Sequence, residues 1–160
     1  MSIQFCAHLA RAIHDGQKTT TWKPLSVADN ARRLAGYQSN EVPFVPGTTL
    51  VMDEPWGLVG PNIVLASSFT PARRSDAATP PDGWRAMNGT RPGGKLTVAS
   101  CSLRRLATIT EDEAKLAGTI PPDGDTYRAE FERQWRGAYR DAQAWDANPY
   151  CWLISFTLSA

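Results

Sequence analysis

Residues 150–158 read YCWLISFTL. In an extended chain successive side chains alternate faces, so Cys151, Leu153 and Ser155 fall on one side and Trp152, Ile154 and Phe156 on the other. Both sides are largely apolar. A strand with one wet face would alternate apolar with polar residues, so this one belongs in the middle of a sheet or in a closed barrel. The expected fold class is mixed α/β, mainly β: a small β-barrel with flanking helices.

Working back from that strand, Asp146–Pro149 is a turn. Before it, TYRAEFERQWRGAYRDAQAW (126–145) repeats Tyr127, Phe131, Trp135, Ala138 and Ala142 at three- and four-residue intervals, a helix whose apolar face packs on the core. The segment TITEDEAKLAG (108–118) carries a capping box, Thr110 with Glu113, and a terminating Gly118. KLTVASCSL (95–103) and PNIVLASSF (61–69) read as strands, as does Thr48–Met52 after the Pro46-Gly47 turn. Between about 71 and 94, Pro, Gly, Asp and Arg accumulate in what reads as a long irregular excursion within one domain spanning 1–160. ADNARRLAG (28–36) is a short helix. SIQFCAHLARAIHDG (2–16) is read as the first helix, with Phe5, Leu9, Ala12 and Ile13 on its apolar face and Gly16 closing it.

That glycine lies within the motif DGQKTTTWKP (15–24). Its threonines favour an extended segment in which Thr19, Thr21 and Lys23 share one side and Lys18, Thr20 and Trp22 the other. An ordinary half-buried strand has the same pattern.

The chain has 160 residues, 42% of them hydrophobic, and six tryptophans, which suits one globular domain with a real core. Its three cysteines, Cys6, Cys101 and Cys151, are an odd number and too far apart for a paired metal motif, so a reducing, cytoplasmic setting without disulfides is expected. No apolar run is long enough to span a membrane, and residues 1–20 lack the layout of a signal peptide. His8 and His14 are six apart, not on one helical face, and neither a metal nor a cofactor is expected. The net charge of +1 hides an asymmetry: residues 60–110 hold seven Lys/Arg against two Asp, and residues 111–146 hold five basic against nine acidic groups. Arg73, Arg74, Arg104 and Arg105 are therefore either a phosphate-binding face or a solvated surface strip.

Taken in order, the helix, DGQKTTTWKP, PGTTLVMDEPW (46–56), the ITEDEAKLAG helix and the W-D-x-N-P turn before CWLISF resemble the ASCH family, most nearly its bacteriophage and prophage members. The resemblance spans roughly residues 3–58 and 95–158 and implies a PUA-like β-barrel. The family's first motif falls on Gly16, Lys18, Thr19, Thr21 and Lys23; its second falls on Gly47, Glu54 and Trp56, with Asp53 where relatives often carry arginine. Some small members remove the acetyl group from N4-acetylcytidine, which the resemblance carries over as catalytic roles for Lys18 and Thr21. The glutamate that those members use in the third motif corresponds to Ala117, so Glu54 or Glu113 would have to supply a carboxylate. The candidate site is thus Lys18, Thr21 and Glu54, with Thr19, Trp22, Lys23 and Trp56 as ligand contacts. Three functions stay open: binding of RNA, DNA or a modified nucleoside, with RNA preferred; an N4-acylcytidine amidohydrolase or a ribonuclease; and a phage accessory protein with a vestigial pocket. Lys18 and a glutamate are equally suited to a structural ion pair at the barrel mouth.

Overall fold

Phe5 enters the core from the end of a strand, not from a helix. In the computed structural model, which describes residues 1–38, 41–69 and 80–159, Ser2–Gln4 forms β1 and pairs in parallel with a later strand. The helical periodicity expected from residue 2 begins only at α1, Ala7–His14, whose Ala10, Ala12 and Ile13 are buried. Gly16, at φ +71°, makes the turn out of α1 that a residue with a Cβ rarely adopts. β2 follows at Thr20–Pro24, and α2 at Val27–Leu34 is capped by Ser26, whose hydroxyl accepts from the Asp29 N–H.

β3, Thr49–Val59, is much longer than its apolar start suggests, and β4, Asn62–Leu65, folds back on it. Ala66–Ser68 is a 3-10 turn where the sequence pattern predicts more strand. β5 runs from Trp84 to Arg105, so residues 84–94 of the expected irregular excursion are strand. Proline and glycine are tolerated there because they sit at interruptions of the ladder: the β3–β5 register shifts between Met52 and Asp53, opposite Pro92–Gly94, and between Pro55 and Gly57, opposite the stretch containing Gly89 at φ +84°.

α3 is Glu111–Leu116 with its capping box formed in both directions, and α4 is Tyr127–Ala138. The helix expected to reach residue 145 stops at Ala138, and two 3-10 turns, Asp141–Gln143 and Trp145–Ala147, carry the chain onward. Trp145 still packs on Phe131, so the apolar signal is real although the helix has ended. β6, Tyr150–Ser159, closes the sheet.

The strand order is β1-β3-β5-β6-β2, with β4 beside β3, and the sheet curls into a half-barrel flanked by helices. β6 is central, as its two apolar faces require. Ile154 and Phe156 join Phe5, Ile13, Leu50, Met52, Leu96 and Val98 in one core, while Cys151 joins Trp22, Leu106, Ala114, Phe131 and Trp135 in the other. One strand therefore separates a core covered by α1 from a core covered by α3 and α4. Among the described residues no helix is long and apolar enough to cross a membrane.

Candidate functional site

The strand order leaves β1 and β2 as the two ends of the sheet path. A cavity of about 580 Å³ lies where they approach, walled by Ile3, Phe5 and Leu9 on one side and by Phe131, Trp135 and Tyr139 of α4 and beyond on the other. Its polar lining includes Lys18, Thr21, Lys23, Asp53, Thr119 and Gln134.

Lys18 is the most constrained of these. It stands between the end of α1 and β2, only 3% exposed, and its ammonium donates to the Thr20 carbonyl at 2.6 Å and the Ala117 carbonyl at 2.7 Å. The ring of Phe5 lies 5.4 Å from its Nζ. Burial lowers its pKa to about 7, and Cys6 opposes the shift in part. A neutral amine has two N–H donors, enough for both carbonyls, and keeps its lone pair; the ammonium has a third proton in that direction. Near neutral pH this group therefore gives or takes a proton without breaking either hydrogen bond.

Gly118 explains why the α3 terminus and Lys18 pack so closely. At φ +80° it turns the chain after Ala117, and a Cβ there would sit 2.9 Å from the Lys18 Cβ. The Ala117 side chain, at the position matched to a family glutamate, lines the cavity as a methyl group.

The first motif is brought together: Lys18, Thr21, Trp22 and Lys23 all line the cavity. Thr19 is half-buried, and its backbone bridges Leu116 and Phe156. Trp22 is 5% exposed, with its ring 6.4 Å from that of Phe131, so its indole is a core side chain that lends an edge to the cavity rather than an open stacking surface. The Lys23 ammonium lies over the Phe44 ring.

Glu54 and Trp56 lie elsewhere. Leu50, Met52 and Glu54 are the buried alternate positions of β3, whereas Asp53 on the opposite parity faces the cavity. Glu54 is fully buried. Its Oε2 accepts from the Ser67 N–H at 3.0 Å, and His14 Nε2 stands 3.8 Å from Oε1, which has no hydrogen-bond partner among the described residues. Trp56 carries the Arg91 guanidinium 4.1 Å from its ring centre, further along β3. Asp53 is thus the carboxylate of the cavity. The signal for it was the run Leu50-x-Met52-x-Glu54, which puts the glutamate on the apolar side.

Arg104 pairs with Glu113 at 3.3 Å, and the Arg105 guanidinium lies 4.9 Å from the Tyr150 ring centre, so both are engaged within the chain. Arg73 and Arg74 lie outside the described residues. Among the described residues no group of three or more His, Cys, Asp or Glu is arranged to hold a metal ion.

No family model matches the chain, and a search of curated proteins returns no match. Among solved structures, the chain is similar to a DUF984 protein from Enterococcus faecalis, with 11% identity, a TM-score of 0.49, and coverage of 95% of this chain and 67% of that one. It is also similar to an ASCH domain from Lactobacillus crispatus, with 16% identity, a TM-score of 0.39, and coverage of 94% and 69%. At these scores neither likeness carries a role over to any residue of this chain.

Proposed function

We propose that the cavity between β1 and β2 binds the base of a modified nucleoside, in RNA before DNA. The observation that carries this reading is Lys18, a buried amine with two protons fixed on carbonyls and a third position at a cavity wall. A base edge presents donors and acceptors in one plane. Lys18, Thr21, Thr119, Gln134 and Asp53 supply both types around walls that are otherwise apolar, as small-molecule sites require. The volume of about 580 Å³ falls within the range of roughly 300–1,000 Å³ usual for such sites.

The test is calorimetric titration with N4-acetylcytidine, cytidine and the other common nucleosides, alongside short RNA and DNA at several salt concentrations. Saturable binding that Lys18→Met and Thr21→Val both weaken supports the reading. Affinity for the polymers should fall as salt rises, with a slope set by the number of phosphate contacts. No binding to any nucleoside or polymer at low salt rejects it and leaves a vestigial pocket.

A second reading, hydrolysis of an acyl group on the bound base, is favoured by one feature: burial sets Lys18 to titrate near neutrality, where a general base works best. Asp53 is the carboxylate in the same cavity. Incubation with acylated nucleosides, followed by mass, tests it. Turnover lost in both Lys18→Met and Asp53→Asn supports it, and no turnover by the wild-type chain ends it.

A further inference from the structure

Lys18 is also a nucleophile, a property that base binding leaves unused. Its side chain is fixed at the nitrogen: Nζ donates to the Thr20 carbonyl at 2.6 Å and to the Ala117 carbonyl at 2.7 Å. In the neutral amine those bonds take both protons and leave the lone pair free. Lys18 is 3% exposed and lines the cavity of about 580 Å³, so the cavity is the space from which a reagent can meet that lone pair. Burial, opposed in part by Cys6, leaves about half of the group uncharged at pH 7. A lysine in water is neutral there in fewer than about one molecule in a thousand. Desolvation of this kind is what activates an amine toward carbonyl compounds.

We propose that Lys18 forms a Schiff base with a small uncharged aldehyde, whose apolar body lies against Phe5, Leu9, Trp135 and Tyr139. These four side chains wall the cavity, and Lys23 and Asp53 in its lining carry opposite charges, so nothing there selects a charged aldehyde. The Nζ lone pair attacks the carbonyl carbon, a C–N bond forms, and the π pair of the C=O bond moves to oxygen. A proton passes from nitrogen to that oxygen, giving a carbinolamine. The hydroxyl takes a second proton from solvent and leaves as water while the nitrogen lone pair closes the C=N bond. No oxidant or reductant is consumed. The iminium nitrogen keeps one proton, so one of the two carbonyls loses its donor, and water reverses the adduct. The step needs only the amine and the cavity, and it is independent of the nucleobase reading.

The test incubates the full chain with benzaldehyde and sodium cyanoborohydride at pH 7, without nucleoside, and reads benzylation of each lysine by peptide mass. Hydride from the reagent traps the C=N bond as a secondary amine. Lys18 should be labelled at least roughly tenfold faster in the folded chain than in the urea-unfolded chain, because the larger neutral fraction outweighs lower basicity and confinement. An aldehyde carried on dextran is too large for the cavity. It should label the exposed Lys23, Lys95 and Lys115 and spare Lys18. Since no nucleoside is present, either result stands whether or not a base binds. Labelling of Lys18 no faster in the folded than in the unfolded chain, or equal labelling by the dextran aldehyde, would overturn the proposal.

Discussion

Lys18 and Ala117 are joined twice. Their backbones form an isolated antiparallel bridge, and the Lys18 ammonium returns to donate to the Ala117 carbonyl at 2.7 Å. Ala117 is the C-cap of α3, so the cation rests on the negative end of a helix as well as on a single oxygen. This contact ties the beginning of β2 to the helical layer.

The first prediction follows from that buried amine. Its pKa is about 7 in the folded chain against 10.5 for an ordinary lysine, so the unfolded chain binds more protons between these limits. Stability from this group is fully present above pH 10.5 and is lost as pH falls through 7. The effect is on the order of a few kcal/mol. Cys151 acts oppositely: its thiol, raised from 9.0 to about 12, contributes stability below pH 9 that is lost as pH rises through 12. Urea unfolding of wild type and Lys18→Met from pH 6.5 to 10 separates the two, because Cys151 cancels in the difference. The difference should move in favour of the wild type as pH rises, and a flat difference would show that the amine is as well solvated folded as unfolded.

Restoring a carboxylate at the end of α3 should raise the Lys18 pKa. In Ala117→Glu an opposite charge next to the ammonium favours the charged form, by about one unit or more if it lies within 4–6 Å. Titration of the Lys18 Cε resonance by NMR reads this directly. An unchanged midpoint would mean that the new side chain points into open cavity.

Two glycines should respond to alanine with opposite signs. A Cβ on Gly93 would run into the Glu54 carboxylate and displace it from the Ser67 N–H, from which its Oε2 accepts. Leaving a buried acceptor without its donor predicts a cost of about 1–3 kcal/mol. A Cβ on Gly137, inside α4, meets nothing within 4 Å, and Gly137→Ala should stabilise by about 0.5–1 kcal/mol through helix propensity. Thermal unfolding of the two variants side by side checks both signs.

Arg104 and Arg105 should matter more for stability than for binding polyanions. Arg104 pairs with Glu113, which also closes the capping box of α3, and Arg105 lies on Tyr150. Arg105→Ala should cost about 1 kcal/mol by removing the cation–π contact and packing. The salt slope of any RNA binding should change by less than one phosphate contact for either substitution. A full-unit drop in slope would place that arginine on the phosphate path instead.

What the sequence made readable was whatever has a local cause. The capping box at Thr110 and Glu113, the stop at Gly118 and the two apolar faces of β6 depend on residues within one turn or one strand, and each appears where expected. β1 was hidden because Phe5, Leu9, Ala12 and Ile13 are spaced as on a helix, while three residues of strand leave no period of their own. The outer half of β5 was hidden because Pro92, Gly93 and Gly94 are punctuation in a single chain and become tolerable only against the interrupted register of β3. In the cavity, Lys18, Thr21 and Lys23 were found through a motif. Asp53 was missed because Glu54 matched that motif better, although Leu50 and Met52 already assigned the glutamate to the apolar side of β3.

The central place of β6 also constrains the order of folding. Thr20 pairs with Ser155, and Lys95 with Ser159, so the strand that follows every other described element is the one that fills the gap between β5 and β2. Until it arrives, β2 has no ladder and neither core has its dividing wall. The antiparallel pair of β3 and β5 can form early from closer contacts, but joining β2 to the sheet means closing nearly the whole chain into a loop, a step that makes mixed topologies slow to fold. During that wait β5 presents a long unpaired edge, so the protein is most exposed to misassembly before its last strand docks.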